Sequence, residues 1–67
     1  LIPLDLLFIG QKGLIVHIHP NAQPHDLSGI SSRFPVAMVL ELNAGITAKH
    51  GIKAGDRVVV ALPPQRH

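Results

Sequence analysis

Two apolar-rich runs separated by Gly10-Gln11-Lys12-Gly13 constrain this chain more than any other feature. Leu4 to Ile9 is apolar except at Asp5, and Leu14 to His19 alternates apolar residues with histidine from Val16 onward. Both have the length and composition of strands, and a short connection with glycine at each end joins them as a hairpin. Two registers are open. Pairing Gly10 with Gly13 mixes large apolar and polar residues on each face and sets Asp5 opposite Ile18. A type I turn with Gly13 in the left-handed position of a bulge pairs Gly10 with Leu14 instead, and the faces separate. Leu4, Leu6, Phe8, Leu14, Val16 and Ile18 then share one side, and Asp5, Leu7, Ile9, Ile15, His17 and His19 the other. The second register is the expected one: it concentrates burial on one side and uses Gly13 where glycine alone takes a positive φ without steric cost.

The stretch from Pro20 to Pro35 holds three prolines, Gly29 and three serines around isolated Leu27 and Ile30, and reads as a long ordered loop. Val36 to Leu42 alternates Val36, Met38, Leu40 and Leu42 against Ala37, Val39 and Glu41, a half-buried strand. Asn43 is placed to cap a helix of about two turns that Gly51 ends in the left-handed conformation, with Lys49 and His50 at its negative end. Ile52 then folds back onto Ile46, and the contact fastens this helix to the sheet. Lys53-Ala54-Gly55-Asp56 is a tight turn with Gly55 at positive φ, leading into a last strand from Arg57 to Leu62, which Pro63-Pro64 ends. The expectation is a mainly β protein, a small barrel-like or sandwich-like sheet with a hairpin, a long Pro-rich loop and one short helix.

Composition narrows the functional classes. With 67 residues the chain makes a single domain, and 46% hydrophobic against 15% charged residues is too apolar for a disordered polymer. The absence of cysteine excludes a cysteine nucleophile, a thiolate metal site and a disulfide framework. Net charge is only +2, the six Lys and Arg are scattered, and there is no Trp or Tyr, so neither a phosphate-tracking stripe nor a base-stacking platform for nucleic acid is present. Charge-free stretches broken by Gly and Pro fall short of the roughly 20 residues of a membrane-spanning helix. The chain opens on Leu1-Ile2-Pro3-Leu4-Asp5 with neither Met nor a polar lead-in, which reads as a start inside a structured region, residues 1–67 being one partial domain. On that reading a preceding segment or a second copy completes the sheet, because an abrupt first strand leaves apolar surface and an edge to cover.

Chemistry concentrates on Asp5, His17 and His19. In the expected register Asp5 lies opposite His19 with His17 two residues along, and Glu41 points to the corresponding face of its own strand. Such a group suits a divalent metal, or a histidine oriented by a carboxylate as a base. It equally describes a solvated face with an ordinary cross-strand pair, for which no cofactor is needed. His25, beside Asn21, Gln23 and Asp26, lines a ligand cleft or sits exposed among residues that cap turns. Ser28, Ser31 and Ser32 lack a nucleophile-elbow context, and Gly51 to Asp56 lacks the spacing of a phosphate loop. Lys49, Lys53 and Arg57 form a small basic rim or a charged edge that discourages sheet-to-sheet pairing.

Taken in order, Leu1 to Ile9, Ile15 to His19 continuing through Asn21 to Pro24, Val39 to Gly45, and Gly51 to Val58 resemble the C-terminal two-thirds of the DUF192 family of small prokaryotic proteins. The resemblance covers nearly the whole chain. It implies a mostly β, barrel-like or sandwich-like domain preceded by an aromatic-rich N-terminal part, and, since many members carry an export signal, a periplasmic or secreted location. Asp5 matches the aspartate of the family's Pro-Leu-Asp motif. Two functions follow as expectations: a non-catalytic binding or accessory module of the cell envelope with a small ligand or protein as partner, or a small metal-dependent or acid-base enzyme using Asp5, His17 and His19.

Overall fold

The computed structural model describes residues 2–23, 29 and 35–61. Three antiparallel strands, β1 (Leu4–Ile9), β2 (Ile15–Ala22) and β3 (Met38–Asn43), form one open sheet in the order β2-β1-β3, and a single-turn helix α1 (Ile46–His50) follows. The protein is mainly β as expected, and no barrel closes among the described residues. Most of the expected loop, with His25, Asp26 and the serines, lies outside the described residues, and Pro20 to Ala22 belong to β2. No helix among the described residues is long and apolar enough to cross a membrane.

The central place of β1 explains its near-continuous apolar run. A middle strand covered on both faces has no solvent side on which to put polar residues. Leu6, Phe8 and Ala22 make one buried cluster, joined by Leu4, Val36 and Val39. Leu7, Ile9 and Ile15 make a second cluster on the opposite face, joined by Ile18, Leu40, Leu42, Ile52 and Val58. Each fully buried aliphatic side chain contributes about 1.5–3 kcal/mol.

The hairpin turn has the expected form. Gly10 N donates to the Leu14 carbonyl at 2.9 Å, Gly13 N donates to the Gly10 carbonyl at 3.0 Å, and Gly13 has φ 81°. Beyond the turn the expected register fails. Ile9 pairs with Ile15, but Phe8 pairs with His17, so Val16 is an extra residue in β2 and everything after it changes face. His17 and His19 therefore stand with Phe8 and Leu6, and Ile18 stands with Leu7. The bulge brings both Ile15 and Ile18 to the second cluster, which a regular ladder of strict alternation cannot do. Gly10 makes room for it: a Cβ there would lie 3.3 Å from Val16 Cγ1.

A second bulge follows. Leu4 pairs with Ala22 and Leu6 with His19, leaving Pro20 and Asn21 opposite the single residue Asp5. Pro20 has no N–H to give a ladder, and Asn21 takes a left-handed φ of 54°, so the chain turns its Asn21 amide toward Asp5. Asp5 thus faces neither His19 nor Ile18.

The last strand expected from Arg57 to Leu62 is a single bridge, Leu14 to Arg57, and residue 62 lies outside the described residues. Ile15 N donates to Asp56 O at 2.9 Å and Val58 N to Gly13 O at 2.8 Å. The pairing is squeezed between two turns. It begins at the Gly55 turn, and past Val58 its partner would be the hairpin turn, which has no strand to offer.

Candidate functional site

Asp5 is 1% exposed, yet its carboxylate is saturated with donors. Oδ1 accepts the Asn21 N–H at 3.0 Å. Oδ2 accepts the Gly45 N–H at 3.1 Å, the Thr47 N–H at 3.0 Å and the Thr47 hydroxyl at 2.7 Å. One side chain on β1 therefore fastens the end of β2 and the start of α1. It also does the work expected of Asn43: Gly45, at φ 95°, gives α1 no side-chain cap, and Asp5 takes the free amides of the first turn from 40 residues away. Burial pushes the Asp5 carboxyl up, but hydrogen bonds from the Thr47 amide and hydroxyl, the Asn21 amide and the Gly45 amide outweigh it and lower the pKa to about 2. A carboxylate so acidic, with its lone pairs occupied, is a poor base at neutral pH and a poor metal ligand.

The group expected around Asp5 is divided between the two faces of the sheet. Asp5 stands with Leu7 and Leu42, whereas His17, His19 and Glu41 stand with Leu6 and Phe8. The Val16 bulge moves the two histidines, and the β1–β3 register, which sets Glu41 beside Leu6 and Leu42 beside Asp5, moves Glu41. His17 and His19 keep company, with ring centroids 6.5 Å apart, and the His17 ring is tilted on Phe8 at 5.6 Å. Glu41 pairs with Leu6, which pairs on its other side with His19, so the histidine and the glutamate are two strand spacings apart, about 9.5 Å. Among the described residues no three His, Asp or Glu side chains gather closely enough to hold a metal ion.

The other face carries a concave pocket of about 420 Å³. Leu7, Ile15, Leu40, Leu42, Ile52 and Val58 supply apolar walls, and Asp56 and Arg57 supply charge. Ile52 reaches this wall because Gly51 ends α1 at φ 64° and the Ile52 N–H returns to the Thr47 carbonyl at 2.9 Å, the expected helix-end motif. Asp56 closes its own turn: Oδ2 accepts the Lys53 N–H at 2.9 Å, and Oδ1 accepts the Lys53 ammonium at 3.2 Å. These bonds hold its carboxyl below the usual carboxylate range. Arg57 is exposed, and its Nη1 donates to the Lys12 carbonyl at 3.1 Å, tying the hairpin turn to the pocket.

Sequence reasoning missed Thr47 and Asn21 as partners of Asp5, and missed the pocket. One signal was available for the first: a lone acid inside an apolar run must find donors. The pocket had no such signal, because its lining is gathered from β1, β2, β3 and the residues that follow α1.

A model of the family DUF192, described as "Uncharacterized ACR", matches residues 1–60 of this chain. No curated protein and no solved structure matches significantly. The family match takes in β1 with its Pro3-Leu4-Asp5 motif, the sheet, α1 and the turn at Gly55, and on that extent the chain belongs to the DUF192 family.

Proposed function

We propose that this protein is a non-catalytic binding module of the cell envelope, and that its ligand occupies the apolar pocket on the Leu7 face of the sheet. The pocket carries the reading. Its volume of about 420 Å³ falls within the roughly 300–1,000 Å³ of small-molecule sites, and six apolar side chains with a few polar groups are the usual lining of one. Leu7 and Ile15 are 2% and 3% exposed, so two of its walls are firmly packed. The acid-base alternative loses support because Asp5 is committed to four hydrogen bonds on the face away from His17 and His19. An envelope location is favoured by the resemblance to a family in which many members are exported.

The test is methyl NMR of the full-length protein with a small library of apolar fragments. Saturable shifts should gather at the Leu40, Leu42, Ile52 and Val58 methyls. Shifts confined to Val36 and Val39 on the other face, or none that saturate, would overturn the assignment. Fractionation of the native host should find the protein outside the cytoplasm, and a cytoplasmic pool alone would remove the envelope half of the reading.

A further inference from the structure

We infer that the pocket selects an anionic amphiphile, a monomeric medium-chain carboxylate whose chain lies against Leu40, Leu42 and Ile52 and whose head group meets Arg57. This rests on the binding reading above and adds the ligand's chemical class.

The apolar walls account for the body of such a ligand, and charge accounting decides its head. Of the two charged residues at the pocket, Asp56 is already answered, since both its oxygens are engaged by the Lys53 amide and ammonium. That pair is neutral as a unit. Arg57 is not answered. Its one hydrogen bond goes to a carbonyl, which carries no charge, and among the described residues no carboxylate lies within ion-pair distance of it. A guanidinium has five N–H donors in a planar fork matched to a carboxylate, and the bond from Nη1 to Lys12 leaves most of that fork available. The same bond limits the movement of the side chain, so less rotamer freedom is lost when an anion arrives. A cation ligand would meet Arg57 and find Asp56 occupied. A neutral one would leave the guanidinium's charge unused.

Octanoate, octanol and acetate, each titrated into methyl-labelled full-length protein, separate these ligands. Octanoate is expected to shift the Leu40, Leu42 and Ile52 methyls saturably together with the Arg57 side-chain N–H. Octanol should bind the same site about three- to tenfold more weakly, the range of an exposed to a bidentate charge-assisted contact, and acetate should not bind. Arg57→Gln should level octanoate with octanol, while Arg57→Lys keeps part of the preference. Octanol binding by Arg57→Gln shows at the same time that the pocket is formed in that variant. Equal affinity for octanoate and octanol in the unaltered protein, or a preference that survives Arg57→Gln, overturns the anionic head group and leaves the binding reading standing. Failure of both amphiphiles to saturate those methyls overturns the two together.

Discussion

Replacing Asp5 by Asn changes one oxygen for an amide of nearly the same shape, so any effect comes from hydrogen bonding and charge. Four donors converge on the carboxylate: the amides of Asn21, Gly45 and Thr47 and the Thr47 hydroxyl. An asparagine has one acceptor oxygen. In its better orientation that oxygen keeps the three contacts now made by Oδ2, and its NH2 group is set against the Asn21 amide, donor to donor. One orphaned buried N–H costs about 1–3 kcal/mol, and the kept bonds fall from charge-assisted strength toward the neutral value, a further ~1–2 kcal/mol in all. The expected loss is about 3 kcal/mol, a large fraction of the 5–15 kcal/mol by which domains are stable. Denaturant unfolding of the full-length protein should show the midpoint falling with the m-value unchanged. Native-state hydrogen exchange should show the Asn21, Gly45 and Thr47 amides losing more protection than the amides of Leu7 and Phe8. A loss under about 1 kcal/mol with those three amides still protected would falsify the clasp. Thr47→Val, which removes only the hydroxyl donor, should cost less than Asp5→Asn, and Thr47→Ser less again.

The same carboxylate makes stability depend on acid. Its folded pKa of about 2 lies below the unfolded value, so its contribution of about 2 kcal/mol is present above pH ~4 and is lost as pH falls toward 2; stability at pH 5 and pH 2.5 should differ by roughly two-thirds of this component, which Asp5→Asn should lack. Phe8→Ala, at a side chain with 0% exposure, should cost about 3–5 kcal/mol in the same unfolding assay, and Val16→Ala, at a bulged residue 46% exposed, under about 1 kcal/mol. Gly13→Ala places a Cβ on a residue with φ 81° and should cost about 1–2 kcal/mol, seen as a lower midpoint with the sheet's cross-strand NOEs kept.

What the sequence made legible was local. The Gly13 turn, the left-handed Gly51 and Gly55 and the return of Ile52 each depend on a few neighbouring residues, and each stands as read, whereas burial expected on one side of the hairpin falls on both faces of β1. The faces of β2 were not local. Whether His17 lies beside Leu7 or beside Phe8 depends on one inserted residue, and nothing in Leu14-Ile15-Val16-His17-Ile18 marks Val16 as that residue: the three consecutive apolar residues Leu14, Ile15 and Val16 suit either face. The bulge is favoured by long-range packing, since it alone brings Ile18 to the Leu7, Ile9 and Ile15 cluster that Leu40, Leu42 and Ile52, more than twenty positions later, also pack against.

Asp5 follows the same logic in reverse. Inside an apolar run, an acid on an alternating strand reads as a functional group, because a structural one has no evident partner nearby. Its partners lie 16, 40 and 42 residues away and are mostly backbone amides, which any residue type supplies and which composition therefore cannot advertise. Pro20 and Gly45 are the residues that free those amides, the first by interrupting the β2 ladder and the second by entering α1 at a positive φ without a side chain to cap it. A carboxylate is suited to this position because it alone among side chains accepts from several donors while donating to none. The acid that looks most catalytic in this chain is thus the one that joins its strands to its helix, and it leaves the pocket lined by Asp56 and Arg57 to other residues: Asp56 is engaged by Lys53, and among the described residues Arg57 meets no carboxylate.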